Sequence, residues 1–148
     1  MISGRDFLTL AEVWSRGRSE AEWRCAVSRA YYAAFHECRH LLSELGFVVP
    51  RADLAHAYLW LRLSNSQVVE LVDAGSELNT LRRERNRADY DLHLTTTAST
   101  AVTATVSVSR IISVIDRLTD EHRQLATQAI RDYERDVLRE TTWRRRPR

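Results

Sequence analysis

Glycine and proline are scarce in this chain of 148 residues, which contains four of the former and two of the latter. Closely spaced strands need turns, and turns depend on residues that accept a positive φ or hold φ near −65°. A sheet-rich fold therefore lacks its turn residues here, whereas helices need few of them. Hydrophobic residues make up 44% of the chain and charged residues 28%, as in a globular domain. We expect an all-α fold, an up-and-down bundle of about four to five main helices.

Apolar residues recur at helical spacing along most of the chain. The second predicted helix is the best defined, because Ser19 and Glu22 form a capping box and Gly46 is a stop signal. Its apolar stripe consists of Trp23, Val27, Ala30, Tyr31, Ala34, Cys38, Leu41, Leu42 and Leu45. Its opposite face carries Arg29, Tyr32, His36 and His40 and is free for solvent, a partner or a site. The other predicted helices span about residues 5–15, 53–63, 67–91, 98–118 and 120–140.

Two of these segments allow a second interpretation. Gly75 lies inside the fourth helix, where a break or a kink is possible. In the fifth segment Val102, Ala104, Val106 and Val108 alternate as they would in a strand. A single strand has no partner elsewhere in this chain, so the fifth segment is predicted to be helical.

The chain shows no repeat, linker or change of composition that divides it. We expect one helical domain over residues 1–140 and a basic C-terminal tail over 141–148, with Arg144, Arg145, Arg146 and Arg148. The N-terminal residues lack the pattern of a signal peptide, and the longest uncharged stretch, 92–109, is mostly Thr, Ser and Ala. Cys25 and Cys38 are about 20 Å apart along one predicted helix and cannot pair there. We therefore expect a cytoplasmic protein without a membrane segment.

Several kinds of chemistry are excluded by what the sequence lacks. All 22 Lys or Arg residues are arginine, which excludes Schiff-base chemistry and the lysine of a phosphate loop. There is no dinucleotide glycine fingerprint, paired-cysteine zinc pattern, zincin motif or serine elbow. His36 and His40 are four residues apart and either bind a metal or are paired surface histidines. With no third ligand in view, we expect neither a metal nor a cofactor.

The stretch LRRERNRADYDLH, residues 81–93, concentrates the polar groups that remain. If it is helical throughout, one sector of about 100° contains Arg82, Arg85, Asn86, Asp89 and His93. A guanidinium can hold a phosphate, an amide can orient it and an imidazole can move a proton near neutral pH. These groups suffice for metal-free cleavage of RNA through its 2′-hydroxyl. Arg85 and Asp89 are equally an ordinary salt bridge between helix positions i and i+4.

Two segments, SRAYYAAFH (28–36) and RNRADYD (85–91), resemble in this order the small prokaryotic HEPN-domain proteins, over about residues 5–120. The resemblance implies a bundle of four or five helices that dimerises with the ends of the RN-bearing helices meeting across a two-fold axis. Members act as ribonuclease toxins, often encoded beside a small nucleotidyltransferase-like antitoxin, and others are non-catalytic partners.

Active members of this family have an Arg, often followed by Asn, and then a His after four to six intervening residues. Arg85 and Asn86 match the start of that pattern, but Tyr90 occupies the position of the His. A phenol with a pKa near 10 is a poor base at neutral pH. Arg87 and His93, with five residues between them, satisfy the looser spacing.

These observations leave three functions open. The first is a homodimeric, metal-independent endoribonuclease of a toxin–antitoxin or defence system, with Arg85, Asn86, His93 and Tyr90 as its catalytic group. Arg82 and Arg87 would bind substrate, and Arg29, Tyr32 and Asp89 would support the site. The second, favoured by Tyr90, is a non-catalytic nucleotide- or protein-binding HEPN module beside a nucleotidyltransferase. The third is a structural interaction domain that docks through the polar face of the second helix.

Overall fold

The computed structural model describes residues 1–145, and these residues fold into helices without a strand. The predicted all-α class is confirmed, with six α-helices where four to five main helices were expected. The helices are α1 Gly4–Ser15, α2 Glu20–Glu44, α3 Leu54–Ser64, α4 Val69–Tyr90, α5 Ala98–Asp116 and α6 Asp120–Tyr133, followed by a π-helical turn at Glu134–Leu138.

Side-chain caps explain where several helices begin. Ser19 and Glu22 form the predicted capping box of α2, in which the Ser19 hydroxyl accepts from the Glu22 amide at 3.2 Å and Glu22 accepts from the Ser19 amide at 2.9 Å. Thr119 caps α6 by accepting from the His122 amide at 3.1 Å. Beyond the end of α2, Gly46 adopts a φ of 103°, a value that residues with a Cβ rarely take. The helix boundaries thus follow from local chemistry.

The first of two compact units consists of Met1–Glu37 and Glu77–Ser113. Its core contains the N-terminal part of the predicted α2 stripe, with Val27, Ala30, Tyr31 and Ala34 almost inaccessible to solvent. The other core side chains of this unit include Ala11, Leu78, Leu81, Ala88, Ala101, Ala104, Val108 and Ile111.

The helix α5 accounts for the strand-like alternation in the sequence. Ala104 and Val108 are buried, whereas Val102 and Val106 are exposed. Residues four apart lie on the same face of a helix, so α5 has an exposed row and a buried row on opposite faces. Because these two rows interleave along the chain, the sequence shows an apolar residue at every second position. By length and composition, α5 is the one described helix apolar enough to cross a membrane. One row of its side chains is buried in the fold, and cytoplasmic localisation stays a prediction.

The second unit consists of Cys38–Ser76 and Val114–Arg148, described here as far as residue 145. Its most buried side chains include Leu41, Leu42, Leu59, Leu63, Leu71 and Ile130. Gly75 does not break α4. A Cβ at this position would lie 2.8 Å from the Ser64 hydroxyl oxygen and 2.9 Å from the Ser64 amide nitrogen, so glycine is needed where α4 approaches α3.

The start of the predicted C-terminal tail is packed against the second unit. The Trp143 indole donates to the Leu45 carbonyl oxygen at 3.0 Å and lies 4.0 Å, measured to its ring centroid, from the Arg131 guanidinium. The backbone of Trp143 forms an isolated antiparallel bridge with Phe47. The basic residues 146–148 lie outside the described residues.

Candidate functional site

The two segments that carry the HEPN resemblance meet within the first unit. Ser28 on α2 donates a hydrogen bond of 3.1 Å to a carboxylate oxygen of Asp89 on α4. The same oxygen lies 3.9 Å from a terminal nitrogen of Arg85. Arg29, Tyr32 and Asp89 were expected to support the site together. One hydrogen bond from α2 to Asp89 is donated by Ser28, the neighbour of Arg29.

Arg85 lies under the paired tyrosines of α2. Its guanidinium carbon is 5.3 Å from the ring centroid of Tyr31 and 5.4 Å from that of Tyr32, within the range of a cation–π contact. The residue is only 8% exposed. Its buried Nε has no hydrogen-bond partner among residues 1–145. Since buried donors are nearly always paired in native proteins, this N–H calls for a ligand or a functional explanation.

A second cation flanks the same aromatic ring. The Arg29 guanidinium carbon lies 5.0 Å from the ring centroid of Tyr32 and 5.3 Å from that of Phe7. Tyr32 therefore makes cation–π contacts with both Arg29 and Arg85. Two positive charges beside one partly exposed aromatic ring raise the local potential and favour an anion. We call Arg29, Tyr32, Arg85 and Asp89 the arginine–tyrosine cluster.

The remaining predicted residues of α4 surround this cluster in different ways. Arg82 is half-buried and donates to the side-chain oxygen of Asn79 from two nitrogens, at 3.3 and 3.2 Å. Asn86 is half-buried, and the Arg87 side chain is exposed. Tyr90, the last residue of α4, is 72% exposed.

His93 does not share a helical face with the arginines. The prediction of one sector from Arg82 to His93 required an unbroken helix, but α4 ends at Tyr90 and His93 lies exposed in the following turn. The Leu94 amide closes this turn by donating to the Asp91 carbonyl oxygen at 3.0 Å. A run of threonines follows, and β-branched residues favour helix continuation poorly. The spacing of 1.5 Å per residue therefore cannot be used to place His93 relative to Arg85.

Arg24 is a residue of this region that sequence reasoning missed. From α2 it donates to backbone carbonyl oxygens at the end of α4 and in the α4–α5 loop, which we define as residues 91–97. Glu20, one turn earlier, accepts from Arg24 at 2.8 Å and from the Thr96 amide at 3.0 Å. The only local signal was the Glu20–Arg24 spacing of four, which is common on solvent-exposed helices.

The hydrogen bond from the Thr96 amide, with further help from Arg24, holds the pKa of the Glu20 carboxyl below its ordinary value. A lowered pKa in the folded state means that the ionised form stabilises the fold at neutral pH. That contribution is fully present above the ordinary carboxyl pKa. It is lost as the pH falls through the lowered pKa of the folded protein. We therefore expect the protection factor of the Thr96 amide to drop as the pH is lowered from 7 to about 3.

Hydrogen exchange followed by NMR, corrected for the intrinsic rate at each pH, measures this protection factor. The matched control is Glu20→Gln, which keeps an acceptor oxygen but does not titrate. Its Thr96 protection should be lower at neutral pH and change less on acidification. Equal pH profiles for the two proteins would contradict the assignment to Glu20.

Neither histidine of the i, i+4 pair on α2 is placed in a cluster of metal-binding side chains. His40 lies 3.3 Å from a carboxylate oxygen of Glu44, and the His36 ring lies 5.6 Å from that of Phe7. Within residues 1–145 there is no group of three or more His, Cys, Asp or Glu side chains that could hold a metal ion. A comparison of the chain with protein-family models, curated proteins and solved structures finds no match.

Proposed function

We propose that this chain is a HEPN-type, metal-independent endoribonuclease that acts on RNA as a homodimer, in a toxin–antitoxin or defence system. The order of its two motif segments and their contact through Ser28 and Asp89 support the proposal. Light scattering at micromolar concentration should give the mass of a dimer. A short neighbouring gene with a nucleotidyltransferase signature would support the antitoxin part of the proposal.

The state of Arg85 is the single observation that carries this proposal. Its guanidinium is buried against Tyr31 and Tyr32, its Nε has no hydrogen-bond partner among the described residues, and an Asp89 carboxylate oxygen is 3.9 Å from a terminal nitrogen. A phosphate offers that guanidinium short, charge-assisted hydrogen bonds, which Asp89 does not provide at this distance. Asp89 already accepts from Ser28, so an incoming anion need not leave it without a partner.

The proposed chemistry is transesterification at phosphorus. A neutral His93 takes the proton of the RNA 2′-hydroxyl, the oxygen attacks the adjacent phosphorus, and the bond to the 5′-oxygen breaks. A protonated His93 from the second protomer gives its proton to that leaving oxygen, so the products are a cyclic phosphate and a 5′-hydroxyl. Arg85 stabilises the negative charge that develops on the phosphate, and Asn86 orients it. Arg82 and Arg87 contact neighbouring phosphates.

A second candidate function is a non-catalytic HEPN module that binds a nucleotide or a nucleotidyltransferase-like protein. Two observations favour it. Tyr90 occupies the position of the family's His, and it lies 72% exposed at the end of α4, where it can contact a partner. His93, the alternative proton carrier, lies beyond the end of that helix. In this case the arginine–tyrosine cluster binds the phosphate of a ligand without cleaving it.

Cleavage of single-stranded RNA in EDTA tests the choice between the two. The purified protein should release products slowly, because guanidinium groups rather than a metal neutralise the phosphate. His93→Ala should lower the cleavage rate about 10²-fold, as expected for removal of a general acid or base. Tyr90→Phe, which removes only a hydroxyl, should lose less. End-group analysis of the products and circular dichroism of each variant complete the measurement.

The outcome that rejects the nuclease is wild-type cleavage no faster than that of His93→Ala over several hours. If such a protein still binds labelled RNA or nucleotide with an affinity that falls with salt, the binding module takes its place.

A further inference from the structure

The side chain of Arg24 joins α2 to the far end of the candidate site. It is 12% exposed, and one terminal nitrogen donates to the carbonyl oxygens of Ala88 at 2.9 Å and Arg87 at 3.3 Å. The other terminal nitrogen donates to Asp91 at 3.4 Å and to Leu94. One guanidinium therefore contacts carbonyl oxygens on both sides of His93.

The position of Arg24 suits this role physically. Ala88 and Arg87 belong to the last turn of α4, whose carbonyl groups carry the negative end of the helix dipole, and the Arg87 carbonyl also accepts from the Asp91 amide at 3.0 Å. A planar guanidinium has five donors in a fixed fork, so it can satisfy several carbonyls at once. A lysine ammonium is a compact group on a flexible stem and cannot span the same set.

Glu20 extends the connection to the end of the loop. Its carboxylate accepts from two nitrogens of Arg24, at 3.0 and 2.8 Å, and from the Thr96 amide at 3.0 Å. Within the loop Leu92, His93, Leu94 and Thr95 are exposed, whereas Thr96 is buried. Exposed loops with little buried apolar area open easily unless hydrogen bonds hold them.

We propose that Arg24, with Glu20, is a positioning residue that holds the α4–α5 loop and thereby sets where His93 is presented to substrate. Arg24 itself contacts no reacting atom. The consequence for the loop stands on the contacts alone, and the consequence for catalysis rests on the proposed ribonuclease function. The two consequences are measured separately.

Hydrogen exchange measured by mass spectrometry tests the structural part in the intact protein. Arg24→Gln should raise exchange about tenfold or more in the peptide covering residues 91–97, while α2 and the first turns of α4 keep their protection. Arg24→Lys should restore only part of the protection. Arg39→Gln is the matched control, because it makes the same change at a half-buried arginine on the same helix and should leave this peptide unchanged.

Steady-state cleavage of RNA tests the catalytic part. Displacing a proton carrier by about 1 Å costs on the order of 10² in rate, so Arg24→Gln should lower kcat by about that factor with KM changed little. A change confined to KM would assign Arg24 to substrate binding and overturn positioning. If Arg24→Gln does not fold, Glu20→Ala removes the Thr96 hydrogen bond and one group that holds Arg24, and the same exchange measurement decides.

Each result has a distinct meaning. Unchanged exchange over residues 91–97 in Arg24→Gln or Glu20→Ala overturns the proposal, whatever the activity. Increased exchange in a protein whose wild type cleaves no RNA supports the loop assignment and rejects the ribonuclease function instead. Increased exchange with unchanged kcat in an active enzyme shows that the loop is held but that His93 does not depend on it, which overturns the positioning role.

Discussion

Arg85→Ala is expected to lower the rate of RNA cleavage by about 10²- to 10³-fold while the helices remain folded. The alanine removes the charge that the proposed mechanism uses against the developing negative charge on phosphate, and removal of one such donor typically costs 10²–10³ in kcat. The stability loss should be modest, about 1 to 2 kcal/mol, because the contacts that disappear are those with Tyr31 and Tyr32 and a long ion pair with Asp89. Cleavage in EDTA and thermal unfolding measure the two effects.

Two variants control this experiment. Arg83→Ala removes an exposed arginine of the same helix and should leave kcat unchanged. Its loss weakens only the long-range electrostatic attraction of RNA to the protein surface. Arg85→Lys keeps the charge without the planar fork and should be intermediate. Equal kcat in Arg85→Ala and Arg83→Ala would remove Arg85 from the mechanism.

Arg62→Ala is expected to cause the largest loss of stability of any single arginine replacement described above, about 3 to 5 kcal/mol. Arg62 is 3% exposed and donates to the carboxylate of Glu134, 1% exposed, at 2.8 Å. Its guanidinium lies 3.6 Å from the ring centroid of Tyr58. Glu134 also accepts from the Thr142 hydroxyl at 2.7 Å. Removal of the arginine leaves a buried carboxylate without its counter-charge, which costs much more than the pair contributes as a whole.

Urea unfolding followed by circular dichroism measures this loss. The comparison is Arg135→Ala, which breaks ion pairs with Asp132 and Asp136 at a side chain that is 64% exposed. Exposed pairs contribute little to stability, so this variant should unfold near the wild-type midpoint. The double variant Arg62→Met/Glu134→Leu should lose less than the sum of its single changes, because no buried charge remains. An Arg62→Ala midpoint equal to that of Arg135→Ala would contradict the argument.

Helix positions were predictable because the signals that determine them are local. The capping box of Ser19 and Glu22 begins α2, and the stop signal of Gly46 follows its end, as expected from residues three or four positions apart. The limits of α1, α3, α4 and α5 lie within about two residues of the predicted ones. The last helix is the exception, since α6 ends at Tyr133 and a π-helical turn follows where buried Glu134 contacts Arg62.

The residues of the candidate site were also recognisable in the sequence, but their contacts were not. Arg85 and Asp89 stand out by spacing, yet the hydrogen bond that orients Asp89 is donated by Ser28, far away along the chain. The placement of His93 depends on where α4 ends. The sequence places that end only to within one or two residues, and Arg24, which contacts the Ala88 and Leu94 carbonyl oxygens there, comes from another helix.

Local sequence patterns were enough to predict the all-helical class, most of the helix limits and the residues to test for function. The packing of the helices was needed to show that Arg85 is buried against two tyrosines with its Nε unpaired, that Arg24 contacts the loop of His93, and that Trp143 packs near Leu45. The physical reason is the range of the interactions. Capping and hydrophobic periodicity act within one or two turns, whereas burial and the choice of hydrogen-bond partner depend on which helix faces meet.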